Sequence, residues 1–372
     1  MIRVLVATGL YPPEIGGPAT HIEILEREMK NSDIDLVTVP FALVRGYPKV
    51  VRHVMYVYLL LRASRGAAVF YALDPVSVGF PALIASILTR KKLIVRVAGD
   101  YAWEQATGRY GLSQSLDEFV TKIPEQHFIV RILAYVERVV TGRAVCVVVP
   151  SMYLKGIVSL WGIREERIRV VYNAFTPENT PDHVVARAQL GYCDTVVVSA
   201  GRLVPWKGFT TLISVIADLR KEGKTVSLVV IGDGPKEVSL KAYAVSRGVE
   251  DHVHFMGRLS KESLALSIAG ADVFVLNTGY EGLSHQLLEV MALGVPIVTT
   301  TVGGNTELLR DEETGLLVPY EDASALKGAI MRMVTDVVLR DHMVLCARMH
   351  AASFTIPRMV SGVRAVFFDM TH

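Results

Sequence analysis

Short runs of β-branched and other apolar residues alternate along the chain with longer stretches of helical periodicity. Twelve such runs predict strands, in two sets of six: 2–8, 34–39, 67–73, 92–98, 144–150 and 168–173, then 195–201, 226–232, 252–257, 272–277, 296–300 and 315–319. Near-continuous Val and Ile runs of this kind are typical of strands that are covered on both faces.

Helical patterns at 19–30, 77–89, 209–221 and 322–336 fill several gaps between these strands. Strands that alternate with helices predict right-handed, parallel βαβ units. We therefore expect an α/β protein with two doubly wound, Rossmann-like domains that face each other across a cleft. Such sheets bind ligands at the carboxyl ends of their strands, so we expect the chemistry in the loops that follow the strands.

The segment YNAFTPENTPD (172–182) is rich in Pro, Asn and Thr and has no periodicity, which indicates a linker. We predict a first domain at 1–175, a linker region at 176–190 and a second domain at 191–352. The tail, 353–372, predicts a last helix with Pro357 in its first turn. We expect this helix to cross back to the first domain.

Composition fits two well-filled cores, since the chain has 372 residues of which 51% are hydrophobic. The formal net charge is +2, which argues against a nucleic-acid partner. Through Leu190 there are 22 Lys and Arg against 17 Asp and Glu, and the balance beyond is slightly acidic. The basic first half is either ordinary variation or a sign of an anionic partner or membrane surface.

The three cysteines are scattered and show no metal-binding or disulfide spacing, which predicts a reducing, cytoplasmic location. The first apolar stretch predicts a strand rather than a signal peptide. No uninterrupted apolar run approaches the ~20 residues of a spanning helix.

Two loops after predicted strands are candidate phosphate sites. Gly16 and Gly17 open a helix after the first strand, which predicts either an anion site at a helix N-terminus or a plain turn. Arg202 and Lys207 flank a Pro-Trp pair in SAGRLVPWKGF (199–209). We expect the two cations to converge on one phosphate, although both can also be solvated surface residues.

Two further loops are candidates for binding a nucleotide. Gly232 and Gly234 in VIGDGPKE (230–237) permit a tight turn before a helix that we expect to begin at Pro235. Asp233 serves there as a helix cap in the alternative interpretation. Arg258 and Leu259 follow the next strand, in HFMGRLSKE (254–262).

The segment TGYEGLSHQLLE (278–289) places two glutamates around a predicted helix start at residue 284 or 285. The N–H groups of Gly282, Leu283 and Ser284 would point at a ligand, and the positive end of the helix would favour a phosphate. Glu289, inside the helix, can accept two hydrogen bonds from a ribose diol. Glu281 precedes the helix and would face the other side of the phosphates.

GRLVPWKGF, GDGP and EGLSHQLLEVMALGVPIV together resemble the retaining glycosyltransferases of family 4, which have the GT-B fold. YPPEIGGPATH resembles the N-terminal glycine loop of that family, and YNAF resembles its interdomain hinge. The motifs occur in the order of the family and extend over nearly the whole chain. The family's pair of glutamates with seven residues between them falls on Glu281 and Glu289.

This resemblance implies that a UDP- or GDP-sugar binds the second domain and an acceptor the first. It implies that Arg202 and Lys207 neutralise the leaving diphosphate, that Glu281 contacts the donor sugar and that Gly17 approaches the phosphates or the sugar. It also implies that no metal or other cofactor is required, because the basic pair supplies the positive charge. We interpret the Asp-x-Asp at Asp33 and Asp35 as a solvated turn.

One departure from the family pattern concerns the loop after the fourth strand, VRVAGDYAWEQ. Many relatives have a histidine there, whereas this chain has Asp100 at about that point. Asp100 either orients or deprotonates an acceptor hydroxyl, or caps a helix on an irregular loop. Tyr101, Trp103 and Glu104 beside it are candidates to contact an acceptor sugar.

Segments 42–65 and 119–140 combine basic, aromatic and apolar residues. They predict either core-facing helices with basic outer faces or peripheral contact with an anionic membrane. In the second case the protein would lie on the inner face of the cytoplasmic membrane and use a lipid-linked acceptor.

Three functions remain open at this point. The first is a retaining hexosyltransferase of cell-surface polysaccharide or glycolipid synthesis, which acts on a glycan or lipid-linked acceptor. The second is a nucleotide-sugar epimerase of the same fold, and the third is a non-catalytic nucleotide-sugar-binding subunit. The paired glutamates and the Arg/Lys loop favour the first.

Overall fold

The structure, a computed structural model, describes residues 1–14, 16–30, 32–175 and 181–371. The chain divides into two compact units, Met1–Asn173 together with Ile356–His372, and Ala174–Thr355. Each unit contains one six-stranded sheet, and every strand pair in both sheets is parallel.

The strands are β1 (Ile2–Thr8), β2 (Ile34–Pro40), β3 (Val69–Ala72), β4 (Lys92–Arg96), β5 (Cys146–Val149), β6 (Ile168–Val170), β7 (Thr195–Ala200), β8 (Val226–Ile231), β9 (Val253–Gly257), β10 (Val273–Leu276), β11 (Ile297–Thr300) and β12 (Leu316–Val318).

The helices of the first unit are α1 (Gly17–Met29), α2 (Lys49–Ala63), α3 (Gly79–Thr89), α4 (Tyr101–Tyr110), α5 (Leu116–Thr121), α6 (Phe128–Arg143), α7 (Met152–Leu160) and, last in the chain, α16 (Ile356–Thr371). Those of the second unit are α8 (His183–Leu190), α9 (Phe209–Lys221), α10 (Glu237–Ser246), α11 (Lys261–Ala269), α12 (His285–Leu293), α13 (Asn305–Leu308), α14 (Ala323–Thr335) and α15 (Val337–Ala351).

Both sheets are doubly wound, as predicted. The strand order is β2-β1-β3-β4-β5-β6 in the first sheet and β12-β11-β10-β7-β8-β9 in the second. The chain therefore reverses direction between β1 and β3 in the first sheet, and between β7 and β10 in the second. Loops that leave two such strands diverge and open a crevice, which is where doubly wound sheets bind ligands.

Two predicted helical stretches are interrupted in the structure. Within 42–65, a 3₁₀ turn at Phe41–Val44 precedes α2, which begins directly after Pro48 because proline cannot donate the N–H that a longer helix would need. Within 119–140, the 3₁₀ turn Ile123–Glu125, which has a proline in its first turn, separates α5 from α6.

The predicted linker region differs from the structure at its second half. Residues 176–180 lie outside the described residues. Residues 183–190 form α8, because the Asp182 side chain accepts the N–H groups of Val184 and Val185 and starts a helix there. Arg187 of this helix pairs with Asp272 at 2.6 Å, which fixes α8 to the second unit.

The last helix, α16, packs in the first unit. Phe367 is fully buried, and its ring meets that of Tyr71 on β3 edge to face, with centroids 5.2 Å apart. Arg364 pairs with Asp33 at 2.8 Å. Asp35 lies within β2 and pairs with Arg3 at 2.7 Å, so the predicted solvated turn at the Asp-x-Asp is wrong for this residue.

In the second unit, the core lies between the sheet and helices that include α9 and α14. Leu212 and Ile216 of α9 and Ile330 of α14 are buried there with Val197 and Val275 of the sheet. Of the helices in the described part of the chain, none combines the length and apolar character that a bilayer span requires.

Candidate active site

The reversal between β7 and β10 brings two predicted loops together. The N–H of Gly279, after β10, donates to the Trp206 carbonyl, after β7, at 2.7 Å. Asn277 Nδ2 donates to the Gly208 carbonyl at 3.1 Å. Asn277 and Gly208 are 69 residues apart in sequence. The two loops thus form one surface at the carboxyl edge of the sheet.

Lys207 and Glu281 form an ion pair across this surface, through Nζ and Oε1. Only 14% of the Lys207 side chain and 16% of the Glu281 side chain are exposed. Because both charges have lost most of their water, each stabilises the other. Arg202, at the start of the same loop as Lys207, is exposed.

A third loop, after β11, supports Glu281 from behind. The Glu281 carbonyl accepts the N–H of Gly304 at 2.9 Å. A Cβ on Gly304 would run into the Gly282 carbonyl oxygen, so glycine is needed for this close approach. Tyr320, after β12, lies against Gly279 on the other side. Sequence reasoning missed Tyr320, since a lone tyrosine after a short strand carries no signal.

Helix α12 begins at His285, as predicted, with Ser284 as its N-cap. The Ser284 hydroxyl accepts the Leu287 N–H at 3.2 Å, and Gly282, Leu283 and Ser284 are all buried. The N-terminal end of α12 therefore lies beside the Lys207–Glu281 pair, where the helix dipole adds positive potential.

Glu289 lies in α12, about one turn beyond Ser284. Gln286 Nε2 donates to its Oε2 at 2.9 Å. Burial raises the pKa of Glu289 to about 7, a shift that the Gln286 bond and the charge of Lys261 only partly offset. Hydrogen bonds from hydroxyl groups stabilise the ionised form of a carboxylate that has lost its water, and a ribose diol would supply two such donors.

Gly232 and Gly234 let the loop after β8 approach the loop after β7. Gly232 has φ of 125°, and a Cβ there would run into the Gly201 carbonyl oxygen. A Cβ on Gly234 would meet the backbone of Leu203. The helix expected to begin at Pro235 begins two residues later as α10. The Lys236 N–H, just before it, donates to the Leu203 carbonyl at 3.1 Å.

Arg258 and Leu259 follow β9 at the far edge of this surface. Arg258 pairs with Asp233 at 2.7 Å, and both side chains are substantially exposed. Asp233 thus connects the loops after β8 and β9 and does not cap α10. Ser260 caps α11 instead, by accepting the Ser263 N–H at 3.2 Å.

In the first unit, Gly16 and Gly17 lie where the loop after β1 enters α1. Gly17 is the first residue of α1, and Gly16 is its N-cap with φ of 153°. An ion pair between Glu14 and Arg45 holds the loop from the side, and Arg45 also donates to the Gly9 carbonyl at 3.0 Å.

Asp100 follows β4 and is buried, with 1% of its surface exposed. Its Oδ1 accepts the Trp103 N–H at 2.7 Å and so caps α4. Burial raises the pKa of Asp100 to about 6, partly offset by backbone N–H donors and by Arg138. The side chain acts as a helix cap here, the second of the two predicted alternatives, and its role toward an acceptor stays a prediction.

Two acidic residues of the first unit were not predicted. Asp74 follows β3, and its Oδ1 accepts the N–H groups of Val76 and Ser77 at 2.9 and 2.5 Å. The Asp-Pro after an apolar run was a usable turn signal. Glu137 is buried on α6, in register with Val130 and Ala134 on the buried face, so its signal was a charge within an apolar stripe.

Within the described residues, no three His, Cys, Asp or Glu side chains gather as a metal site would require.

The second unit contains a region that matches a known family model. Residues 189–349 match the family of glycosyl transferases group 1. This range includes every candidate residue from Arg202 to Glu289. The predicted enzyme class, a glycosyltransferase, is confirmed for the matched region.

Curated relatives are glycosyltransferases as well. A GDP-mannose-dependent monoacylated alpha-(1-6)-phosphatidylinositol monomannoside mannosyltransferase of Corynebacterium glutamicum is 32% identical over 47% of this chain and 48% of its own length. A D-inositol 3-phosphate glycosyltransferase of Jonesia denitrificans is 30% identical over 62% of this chain and 58% of its own. The chain thus spans about half the length of these relatives.

Solved structures are similar over the whole chain. Sucrose-phosphate synthase from Thermosynechococcus elongatus has a TM-score of 0.80 at 18% identity and covers 100% of this chain and 99% of its own. Anabaena HepE in complex with UDP-glucose has a TM-score of 0.77 at 18% identity, with 99% and 100% covered. The prediction of two Rossmann-like domains of the GT-B class is confirmed.

Proposed function

We propose that the protein is a retaining glycosyltransferase of family 4. It moves a hexosyl unit from a UDP- or GDP-sugar to a glycan or lipid-linked acceptor in cell-surface polysaccharide or glycolipid synthesis. The observation that carries the proposal is the partly buried Lys207–Glu281 pair beside the N-terminus of α12, at the strand reversal of the second sheet.

In this proposal the pair separates when the donor binds. The diphosphate takes Lys207, with Arg202 beside it and the N–H groups of Gly282 to Ser284 beneath it. Glu281, released from Lys207, accepts hydrogen bonds from hydroxyls of the donor sugar. Positive groups fixed in place before the reaction stabilise the charge that develops on the leaving diphosphate without reorganisation, so no metal is required.

Glu289 binds the ribose, and the glycine turn at Gly232 and Gly234 lies against the nucleoside, with Arg258 and Leu259 at the outer edge. Gly16 and Gly17 would admit the phosphates or the sugar to the N-terminus of α1. Retention then follows from attack on the same face that the diphosphate leaves, with a phosphate oxygen taking the acceptor's proton. A buried cap such as Asp100 is not needed as the base.

The acceptor is proposed to be lipid-linked because one side of the first unit is both apolar and basic. Helices α2 and α6 both pack against α3. Their exposed side chains include Val50, Val54, Tyr58, Phe128, Ile132 and Tyr135, with Lys49, Arg62 and Arg131 among them. Apolar side chains surrounded by cations favour a surface of anionic lipid, here the inner face of the cytoplasmic membrane.

An assay with two nucleotide-sugar donors tests the proposed glycosyltransferase activity. GDP-mannose, named for the Corynebacterium glutamicum relative, and UDP-glucose, present in the Anabaena HepE structure, are each incubated with the protein. Release of nucleoside diphosphate is followed with and without acceptor extract. We expect acceptor-dependent release with one donor. Epimerised sugar without release would support the epimerase instead, and binding without turnover would support the non-catalytic subunit.

Flotation with phosphatidylglycerol vesicles tests the membrane contact. We expect binding at low salt that weakens as salt is added, because the cations are exposed. Val54→Glu with Ile132→Glu should abolish binding. The control is Val238→Glu, an exposed valine on α10 of the second unit. Equal binding by native and doubly substituted protein would contradict the proposed surface.

A further inference from the structure

The first turn of α4 is held by two acidic side chains from different elements. Asp100 Oδ1 accepts the Trp103 N–H at 2.7 Å, and Glu137 Oε1, from α6, accepts the Tyr101 N–H at 2.7 Å. The N–H of Ala102, between them, favours the ionised form of both. The donors that every helix leaves unpaired at its N-terminus are thus taken up by carboxyl groups within the protein.

Both carboxyl groups are almost completely withdrawn from water, with 1% of each residue exposed. Arg138 faces Asp100, whereas Glu104 adds a further negative charge on the side of Glu137. Tyr153 of α7 also faces Asp100 and donates to Asp117 at 3.1 Å. Two ionised carboxylates in such a place would repel each other with little screening.

Burial and the neighbouring Asp100 raise the pKa of Glu137 well above its usual range, while the pKa of Asp100 is raised only to about 6. Both shifts show that this turn disfavours two ionised carboxylates.

We propose that Glu137 is a positioning residue that fixes the loop after β4, with Asp100, Tyr101 and Glu104, onto α6 through its bond to the Tyr101 N–H. The proposal rests on the proposed function and on the sequence-based prediction that this loop contacts the acceptor. In this proposal, α6 holds the acceptor loop in place, although α6 contributes no side chain to the donor site. Loss of the Glu137 proton places a second charge at the first turn of α4 and loosens it.

The rest of α4 has its own attachments, so the loosening is local. Trp103 Nε1 donates to the Gln114 carbonyl at 3.0 Å. The Tyr110 ring stacks on His127, the residue that precedes α6, with centroids 4.4 Å apart. This contact lies at the far end of α4 from Glu137.

The direction of the pH effect follows from the raised pKa. Between the usual pKa of a glutamate and the raised value, the folded protein keeps a proton that the unfolded chain has lost, so stability falls as pH rises. Glu137→Gln keeps an oxygen that accepts the Tyr101 N–H but has no proton to lose. The variant should therefore show no pH effect at this turn, whereas Glu137→Ala should lose the attachment at every pH.

Hydrogen exchange on the full chain, expressed as protection factors at pH 6 and pH 8.5, tests this. In the native protein we expect the protection of the amides of residues 101–103 to be lower at pH 8.5 than at pH 6, while peptides from β7 stay unchanged. Glu137→Gln should stay protected at both pH values and Glu137→Ala at neither. Glu125→Gln, exposed before α6, should match the native protein.

An equal loss of protection in the native protein and in Glu137→Gln would show that the Glu137 proton is not responsible. Native-like protection in Glu137→Ala would show that Glu137 does not hold the loop. If Glu137→Ala does not fold, the comparison of the native protein with Glu137→Gln still shows whether the Glu137 proton is responsible for the loss of protection. Donor binding, measured separately with GDP-mannose and UDP-glucose, tests the proposed function, because its residues lie in the second unit.

Discussion

At the scale of single residues, Lys207 and Glu281 each provide the counter-charge of the other. Neither charge has enough water around it to stand alone, so the pair keeps both side chains aimed at the same point. In the proposed function, a diphosphate sugar would replace this one interaction by two: a phosphate would bind the lysine and a sugar hydroxyl would bind the glutamate. The pair thus places a cation and a carboxylate side by side, as the proposed recognition of an anion next to a polyol requires.

Lys207→Ala and Glu281→Ala are each expected to lower kcat/KM for diphosphate release by about 100-fold or more, the usual cost of one fixed electrostatic group. The double variant should lose less than the product of the two single losses, because residues in contact are coupled. Lys221→Ala, an exposed lysine at the end of α9, is the control. Fully multiplicative losses would mean that the two side chains act independently.

Glu289→Gln should change stability and binding in opposite directions. The Glu289 pKa is raised to about 7, so the folded protein loses stability as pH rises from about 4.5 toward 7. We expect Glu289→Gln to melt higher than the native protein at pH 8 and to show little difference at pH 5. Its affinity for the nucleoside diphosphate should be lower, most clearly at pH 8, where the native carboxylate is ionised.

Thermal melts and calorimetric titration with the nucleoside diphosphate at the two pH values measure both effects of Glu289→Gln. The remaining pH dependence of affinity in this variant belongs to the phosphate. Glu250→Gln, exposed in the same unit, serves as control. A variant that binds the nucleotide as well as the native protein would remove Glu289 from the ribose site.

At the scale of elements, α11 and α12 begin with the same device. Ser260 and Ser284 each accept the N–H three residues further on, at 3.2 Å in both cases. Ser260 is exposed, whereas Ser284 is buried between the loops of the candidate site. The two helices thus offer a matched pair that separates the stability of a helix start from its role in binding.

Ser260→Ala and Ser284→Ala should each lower the free energy of unfolding by about 1 kcal/mol, the usual cost of a lost cap. Only Ser284→Ala should also weaken binding of the nucleoside diphosphate. Chemical denaturation and titration of both variants provide the measurement. Equal affinity in the two variants would place the phosphates away from the start of α12.

Sequence patterns located these elements well where a local signal exists. The start of α12 follows from Ser284, and α9 has the predicted bounds because its apolar stripe is regular. Several strands end earlier than predicted, since apolar runs such as 92–98 continue into the loop. The Lys207–Glu281 and Tyr101–Glu137 contacts depend on strand order and helix packing, which single residues do not encode.

At the scale of the whole molecule, the first unit is built from two separated parts of the chain. The second part, α16, contributes five buried apolar residues, of which Phe367 is the most enclosed. The sequence predicted the helix from its periodicity, but nothing in the tail identifies Tyr71 as the partner of Phe367. That contact exists only once both β3 and α16 are in place.

Phe367→Ala should destabilise the first unit by about 3–5 kcal/mol, as for other aromatic side chains removed from a core. Phe368→Ala, the neighbouring and less buried phenylalanine, should cost less. Nucleotide binding by the second unit should stay native in both, and calorimetric melting resolves the two units. A lower nucleotide affinity in Phe367→Ala would show that the units are energetically coupled.

The return of α16 to the first unit also bears on synthesis in the cell. Translation completes every strand of the first sheet early, yet Tyr71 must wait for Phe367 until the whole second unit has left the ribosome. During that interval the growing chain exposes an apolar surface on the first unit while the second can already fold. Chaperones would therefore be expected to hold nascent chains at the first unit, and premature termination before Ile356 to yield a folded second unit attached to an aggregation-prone first.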